Sequence, residues 1–166
     1  HDADAQVVLV SLDATTADRI LAEIERQIDT IPRATTARAS LQEMRIFIAA
    51  TREEALEIAN AYAPEHLALN VTDADAWVEG VVDAGAVFVG GASAETFGDY
   101  LAGPSHVLPT DGAARAFGGV TVQSFMKPMS VQTLSADAAR ALAPAAARLA
   151  RLEGLEAHAR AAERRL

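Results

Sequence analysis

The stretch RIFIAATREEALEIANAYAPEHLAL, residues 45–69, decides the fold of this chain, because its pattern changes from strand to helix and back to strand. The apolar run at 45–49 has the length and composition of a short strand. Thr51-Arg52-Glu53-Glu54 is a capping box, which predicts a helix from there to about residue 61. The run at 67–69 predicts a second strand. Strands that alternate with helices at this spacing predict a parallel sheet covered by helices.

The same alternation continues on both sides of this stretch. Further strands are predicted at 6–10 (QVVLV) and 86–89 (AVFV), and further helices at 17–31, 34–41 and 77–82. Pro32 is expected to end the helix at 17–31, since the residue before a proline is driven out of helical geometry. Thr72 is expected to cap the helix at 77–82. The predicted fold class is α/β, with half of a doubly wound parallel-sheet domain followed by a C-terminal helical tail.

The second half of the chain has a different character. Residues 104–119 are rich in Gly, Pro, Thr and Asp, which predicts a long ordered loop over a site. Residues 130–134 are a strand candidate. Two helices are predicted at 135–152 and 155–166, with Pro144 expected to kink the first or split it in two. We therefore expect three parts: a Rossmann-like half-domain, a connecting strand and helix, and a helical tail that reaches a partner subunit (residues 1–120, 121–152 and 153–166).

The overall composition excludes several classes of protein. A formal charge of −9 without a basic patch argues against nucleic-acid binding. The absence of cysteine excludes a disulfide framework and fits a reducing cytoplasm, where we expect the protein to reside. Any transition-metal site must use nitrogen and oxygen ligands. No apolar run approaches the roughly 20 residues of a membrane helix. The chain has no initiator methionine, so we expect it to be part of a longer protein.

The four histidines lie in short polar clusters, and histidine is both the side chain that titrates near neutrality and a common metal ligand. Glu65 and His66 are adjacent and form a candidate pair for proton transfer. The pair would begin a strand, whereas ligands of doubly wound sheets gather at the carboxyl ends of strands. The dipeptide alone therefore favours an ordinary surface or capping histidine.

Two further pairings are candidates for a site. Asp99 and His106 are separated by a Gly-Pro loop in which no regular helix is expected; together they suit zinc or manganese, although an ordinary turn fits equally well. Glu153 and His158 are five residues apart, which is not a ligating spacing on a straight helix and favours a solvated helical face. His1 stands at the start of the chain, where a tag remnant is an alternative.

Several of these clusters together resemble the histidinol dehydrogenase family. The matching stretches are HDADAQVVLV at 1–10, YAPEHLAL at 62–69, AGAVFVGGASAETFGDYLAGPSHVLPT at 84–110 and EGLEAHARAAERRL at 153–166. They occur in the family's order and approximate spacing. The resemblance implies a zinc enzyme of histidine biosynthesis that oxidises L-histidinol through L-histidinal to L-histidine with two NAD.

The resemblance also implies a role for each candidate residue. Glu65 and His66 would be the catalytic acid–base pair. Zinc would be ligated by His1, Asp99 and His158, and would hold the substrate in position rather than activate the reacting oxygen. The same three residues, with His66, would also contact substrate, as would His106 and Glu153. The family implies an intertwined homodimer in which the tail at 153–166 completes the partner's site.

The resemblance covers only the C-terminal part of the family's sequence pattern. It lacks a counterpart of the family's N-terminal half, which carries much of the NAD-binding surface, and no glycine-rich phosphate loop follows its strands, so no cofactor-binding residue is predicted here. We expect the chain by itself to be inactive. The alternatives are a non-catalytic zinc- or ligand-binding module, a dimerisation module, or a family member that acts on another amino alcohol or sulfonate.

Overall fold

The computed structural model describes residues 2–165. The chain divides into two compact units, His1–Phe125 and Met126–Leu166. The division falls a few residues beyond the predicted end of the half-domain at residue 120, and the predicted three-part organisation remains a prediction.

Four short strands of the first unit form two parallel pairs. β1 (Val8–Ser11) pairs with β2 (Arg45–Ile48), and β3 (His66–Leu69) pairs with β4 (Ala86–Val89). These are the four strands that the sequence predicts, and no bound differs by more than two residues. The parallel α/β class is therefore confirmed, and in the described residues the strands form two two-stranded sheets rather than one sheet of four.

Helices follow the strands as a parallel topology requires, because chain that leaves the end of one parallel strand must return to the start of the next. The helices of this unit are α1 (Ala14–Ile28), α2 (Ala34–Gln42), α3 (Arg52–Tyr62), α4 (Ala74–Trp77) and α5 (Glu95–Tyr100). Single 3₁₀ turns lie at Val78–Gly80, Ala113–Arg115 and Val122–Phe125.

The core of the first unit lies between α3, α4 and the strands. Leu56 of α3, Leu69 of β3 and Trp77 of α4 are buried there together with small residues. The Arg52 guanidinium lies 5.6 Å from the centre of the Trp77 ring, a cation–π distance. Asn60 fixes the connection to β4, since its amide donates to the Gly80 carbonyl at 2.9 Å and its oxygen accepts the backbone N–H of residue 82 at 2.8 Å. α3 is thus attached near both of its ends to the segment at 77–82.

Two helix boundaries differ from the predictions because of local capping. α1 begins at Ala14 because the Asp13 carboxylate accepts the backbone N–H groups of Thr15 and Thr16, at 3.2 and 2.8 Å. It ends at Ile28, before Pro32 can act. The predicted Thr72 cap is wrong: the residue before α4 is Asp73, in left-handed geometry with no side-chain cap, and the helix is a single turn followed by a 3₁₀ turn.

The second unit consists of two packed helices, α6 (Ala136–Leu152) and α7 (Glu156–Glu163). The strand predicted at 130–134 is wrong, since a strand needs a hydrogen-bonded neighbour and these residues have none in residues 2–165. Pro144 does not split the helix, because a proline removes only its own N–H bond and α6 continues through it in an alanine-rich context. Gly154, at φ 76°, makes the turn between the helices.

Arg151 connects the two helices of the second unit through two carboxylates. Its guanidinium nitrogens lie 2.6 Å from Glu163 Oε1 and 3.0 Å from Glu156 Oε2. Arg160 also reaches Glu156 at 3.0 Å. Among residues 2–165, no helix is both long enough and apolar enough to cross a membrane.

The cap of α3 provides a test of local stability. The Thr51 hydroxyl accepts the Glu54 N–H at 3.2 Å, and the Glu54 carboxylate accepts the Ala50 N–H at 2.7 Å, one residue before the bond of an ideal capping box. Thr51→Ala should lower the free energy of unfolding by about 1 kcal/mol, measured by urea denaturation. Thr51→Ser keeps the hydroxyl and should lie within about 0.5 kcal/mol of wild type. Equal losses in the two variants would contradict the cap.

The Arg151 cluster should make the second unit sensitive to acid. Hydrogen bonds from Arg151 lower the pKa of Glu163 below 4.5, and bonds from Arg151 and Arg160 do the same for the pKa of Glu156. A carboxyl whose pKa is lower in the folded state stabilises it above its unfolded value and loses this effect as the pH falls through the folded value. The contribution is therefore complete above the ordinary carboxyl pKa and disappears in stronger acid.

Arg151→Met tests this expectation. It should lower the thermal midpoint at neutral pH and have little effect at a pH where both carboxyls are protonated. Because all three side chains are substantially exposed, the neutral-pH effect should shrink in high salt. Arg148→Met, on an exposed arginine of the same helix, is the control and should show no such dependence on pH. An equal loss at every pH for Arg151→Met would contradict the ion-pair origin.

Candidate functional site

The turn between α3 and β3 carries the Glu65-His66 pair. The C-cap of α3 is Ala63, which is buried and adopts left-handed geometry (φ 55°, ψ 63°) while its N–H donates to the Ala59 carbonyl at 3.0 Å. The Pro64 and Glu65 carbonyls then accept the N–H groups of Gly85 and Ala86, at 2.9 and 2.8 Å. The start of β3 is thereby attached to the start of β4, and both Glu65 and His66 are half-buried there.

Gly85 allows three segments to meet beside this turn. A Cβ placed on Gly85 would lie 2.6 Å from the Glu65 carbonyl oxygen and 3.0 Å from Pro109 Cδ. The loop predicted at 104–119 therefore packs against the amino ends of β3 and β4. Arg115 adds a second attachment, because its guanidinium donates to the Ala61 carbonyl near the end of α3.

His66 is held by aromatic stacking on the sheet. Its ring lies 5.8 Å from the Phe88 ring, with 26° between the planes. Phe88 is opposite Ala68 in the parallel register, so the face of β3 that carries His66 also carries the phenyl ring. α5 approaches Phe88 closely at Gly98, where an added Cβ would lie 2.6 Å from the ring. The absence of a side chain at Gly98 allows α5 to approach.

α5 presents two carboxylates to the two nitrogens of His66. Asp99 Oδ1 lies 3.6 Å from Nε2, and Glu95 Oε1 lies 3.9 Å from Nδ1. Both distances exceed a hydrogen bond. Nε2 is buried and has no hydrogen-bond partner in the part of the chain that the structure describes. One donor atom from each of the three side chains lies within 4.8 Å of the others, an arrangement that could hold a metal ion.

The helix that carries these carboxylates was not expected. No helix is predicted from the sequence at 95–100, and α5 spans Glu95–Tyr100 there. The Gly-Pro loop between Asp99 and His106 contains no helix after Tyr100, as expected. Glu95 is a site residue that the sequence reasoning missed. The signal was present in the spacing, since residues 95 and 99 are four apart and therefore share one face of a helix.

The remaining candidates lie outside this cluster. His106 is exposed in the loop after α5, and the three-residue cluster includes Asp99 but not His106. In the second unit Glu153 is the exposed C-cap of α6, and the exposed His158 lies in the first turn of α7. His1 lies outside the described residues. The proposed roles of these four residues remain predictions.

Comparison with known proteins gives one consistent result. The family model described as histidinol dehydrogenase matches residues 1–166. The chain is 47% identical over 165 residues to a histidinol dehydrogenase of Thermus thermophilus, covering 99% of this chain and 40% of that protein. It is 43% identical over 166 residues to one from Legionella pneumophila, covering 100% and 38%. The chain thus spans about two fifths of the length of these curated relatives.

A solved structure gives the same result for the fold. The crystal structure of histidinol dehydrogenase from Elizabethkingia anophelis matches with a TM-score of 0.95 at 34% identity. The match covers 99% of this chain and 38% of that chain.

The close approach at Gly98 can be tested by adding one methyl group. Alanine normally stabilises a helix relative to glycine by about 0.5–1 kcal/mol. Gly98→Ala should instead destabilise by about 1–3 kcal/mol, because the methyl group meets the Phe88 ring. Gly91→Ala is the matched control, since an added Cβ there meets nothing within 4 Å, and should stay within about 0.5 kcal/mol of wild type. Stabilisation by Gly98→Ala in urea denaturation would contradict the packing described here.

Proposed function

Because the chain belongs to the histidinol dehydrogenase family, we propose that its residues serve an NAD-linked oxidation of L-histidinol through L-histidinal to L-histidine, a step of histidine biosynthesis. The observation that carries the proposal is the imidazole of His66, which stands in the PEHL motif with carboxylates of α5 near both ring nitrogens. The proposal concerns the whole protein, since the chain spans about 40% of its relatives.

His66 is proposed as the general base. In each oxidation a hydride leaves the reacting carbon for NAD, and the hydroxyl proton of the alcohol or of the aldehyde hydrate passes to the imidazole. The burial of Nε2 without a partner supports this role, because an unsatisfied buried nitrogen is rare and Nε2 keeps its hydrogen-bonding capacity for a substrate hydroxyl. The stack on Phe88 holds the ring plane while the proton moves.

Glu65 is proposed to activate the water that adds to the aldehyde between the two oxidations. Glu65 is half-buried, and its backbone carbonyl accepts the N–H of Ala86. The backbone from which its carboxylate extends is therefore fixed next to His66. Adding water to the carbonyl gives a hydrate, whose C–H bond is the source of the second hydride. A carboxylate next to an imidazole can accept the water proton during this addition.

Zinc is proposed as the metal, with Asp99, His1 and His158 as its ligands. Asp99 fits such an ion, because carboxylate oxygen is a donor that zinc accepts and Asp99 belongs to the group of donor atoms beside His66 that could hold a metal. A bound zinc ion would supply a fixed point for the imidazole and amino groups of the substrate. For His1 and His158 the proposed ligand role rests on the family motif alone.

The second unit is proposed to complete the site of another subunit. Glu153 and His158 lie on either side of the Gly154 turn and are both exposed, so their side chains are accessible to a partner. An intertwined homodimer would bring them to the other subunit's His66 and Asp99. His106 and Glu153 are proposed substrate contacts, and NAD would be bound mainly by sequence outside this chain.

Substitution of the acid–base pair in the full-length protein tests the proposed function. His66→Asn should lower kcat about 10²–10⁴-fold with either histidinol or histidinal as substrate, because both oxidations need the base. Glu65→Gln should slow the conversion of histidinal more than the oxidation of histidinol, because only the former needs water. NADH formation and zinc content are measured together. Glu57→Gln, on an exposed glutamate of α3, is the control. Full activity of His66→Asn would refute the proposal.

A further inference from the structure

We propose that Glu95 is a positioning residue that accepts the Nδ1–H of His66 and so leaves Nε2 as the nitrogen with the free lone pair. This inference deepens the proposed function, since it presumes that His66 is the base. It assigns a task to a side chain that the sequence reasoning did not single out.

The position of the His66 ring determines which carboxylate each ring nitrogen faces. Stacking on Phe88 fixes the ring plane, and this plane directs Nδ1 toward Glu95 and Nε2 toward Asp99. The Glu95 side chain is 58% exposed, whereas the Asp99 side chain is 28% exposed. A long, exposed side chain can rotate to shorten a separation of 3.9 Å to a hydrogen bond without disturbing packing.

A neutral imidazole carries one N–H, so the two carboxylates compete for it. Asp99 is a proposed zinc ligand, and a coordinated carboxylate has part of its lone-pair density committed to the metal. Glu95 is not in that ligand set and would be the stronger acceptor when zinc is bound. The proton is then on Nδ1, and Nε2 is free to accept from a substrate hydroxyl. In metal and hydrolase sites alike, the partner of one ring nitrogen selects the chemistry of the other.

The tautomer of His66 is a direct readout that does not require activity. The full-length, zinc-loaded protein is labelled with ¹⁵N in its imidazoles, and long-range ¹H–¹⁵N correlation spectra are recorded at a pH where histidine is neutral. His66→Asn assigns the signal of His66 among those of the other histidines. Glu95→Leu should shift the tautomer ratio toward Nε2–H by about tenfold, the effect of losing one hydrogen bond to a charged acceptor. Glu95→Gln, whose amide oxygen still accepts, should shift it less.

Kinetics of the full-length, zinc-loaded protein provide the second readout. Glu95→Leu should lower kcat about 10- to 100-fold while KM for histidinol and zinc content stay near wild type, because a misdirected base slows chemistry without loosening binding. Glu95→Gln should recover part of the loss. Glu57→Gln is again the control.

Each other outcome overturns the inference in a different way. Loss of zinc from Glu95→Leu would make Glu95 a metal ligand. An unchanged tautomer ratio would make it an ordinary exposed glutamate, as would an unchanged kcat. Full activity of His66→Asn would instead refute the proposed function, and the tautomer measurement would still show whether Glu95 positions the ring.

Discussion

The candidate site depends on the parallel register between β3 and β4. His66 is opposite Ala86 and Ala68 is opposite Phe88, and this pairing places the imidazole against the phenyl ring. Side chains alternate between the two faces of a strand, so a shift of one residue would send Phe88 to the opposite face and remove the stack. The backbone bonds from Gly85 and Ala86 extend the pairing back to Pro64 and Glu65, which attaches the candidate pair Glu65-His66 to the start of the sheet rather than to a free loop.

Residues without a large side chain allow the surrounding segments to approach this edge. Gly85 admits the Glu65 carbonyl and Pro109, and Gly98 admits the Phe88 ring. Ala63 reverses the chain in left-handed geometry, which costs a non-glycine residue roughly 1–2 kcal/mol. The burial of its methyl group and the bond to Ala59 offset this cost. The unfavourable backbone geometry of Ala63 thus occurs at the turn that leads directly into Glu65 and His66.

The elements that the sequence predicted best are those whose signals are local. The four strands and the cap of α3 follow from short apolar runs and from Thr51, and these signals depend on a few neighbouring residues. α5 was missed because Gly98 weakens helix propensity and a Gly-Pro segment follows it. Residues 130–134 were expected to be a strand because of their composition, but pairing is a property of the partner, and the described residues offer none.

The sequence by itself determined the α/β class and the family, and it singled out Glu65 and His66 as candidates, because motifs and periodicity are linear properties of a chain. Tertiary structure decided which side chains surround His66. Glu95 and Asp99 are about thirty residues away along the chain, and only the register of β3 with β4 and the approach of α5 at Gly98 bring them to the imidazole. Distances of this kind arise from packing between segments, which no local pattern encodes.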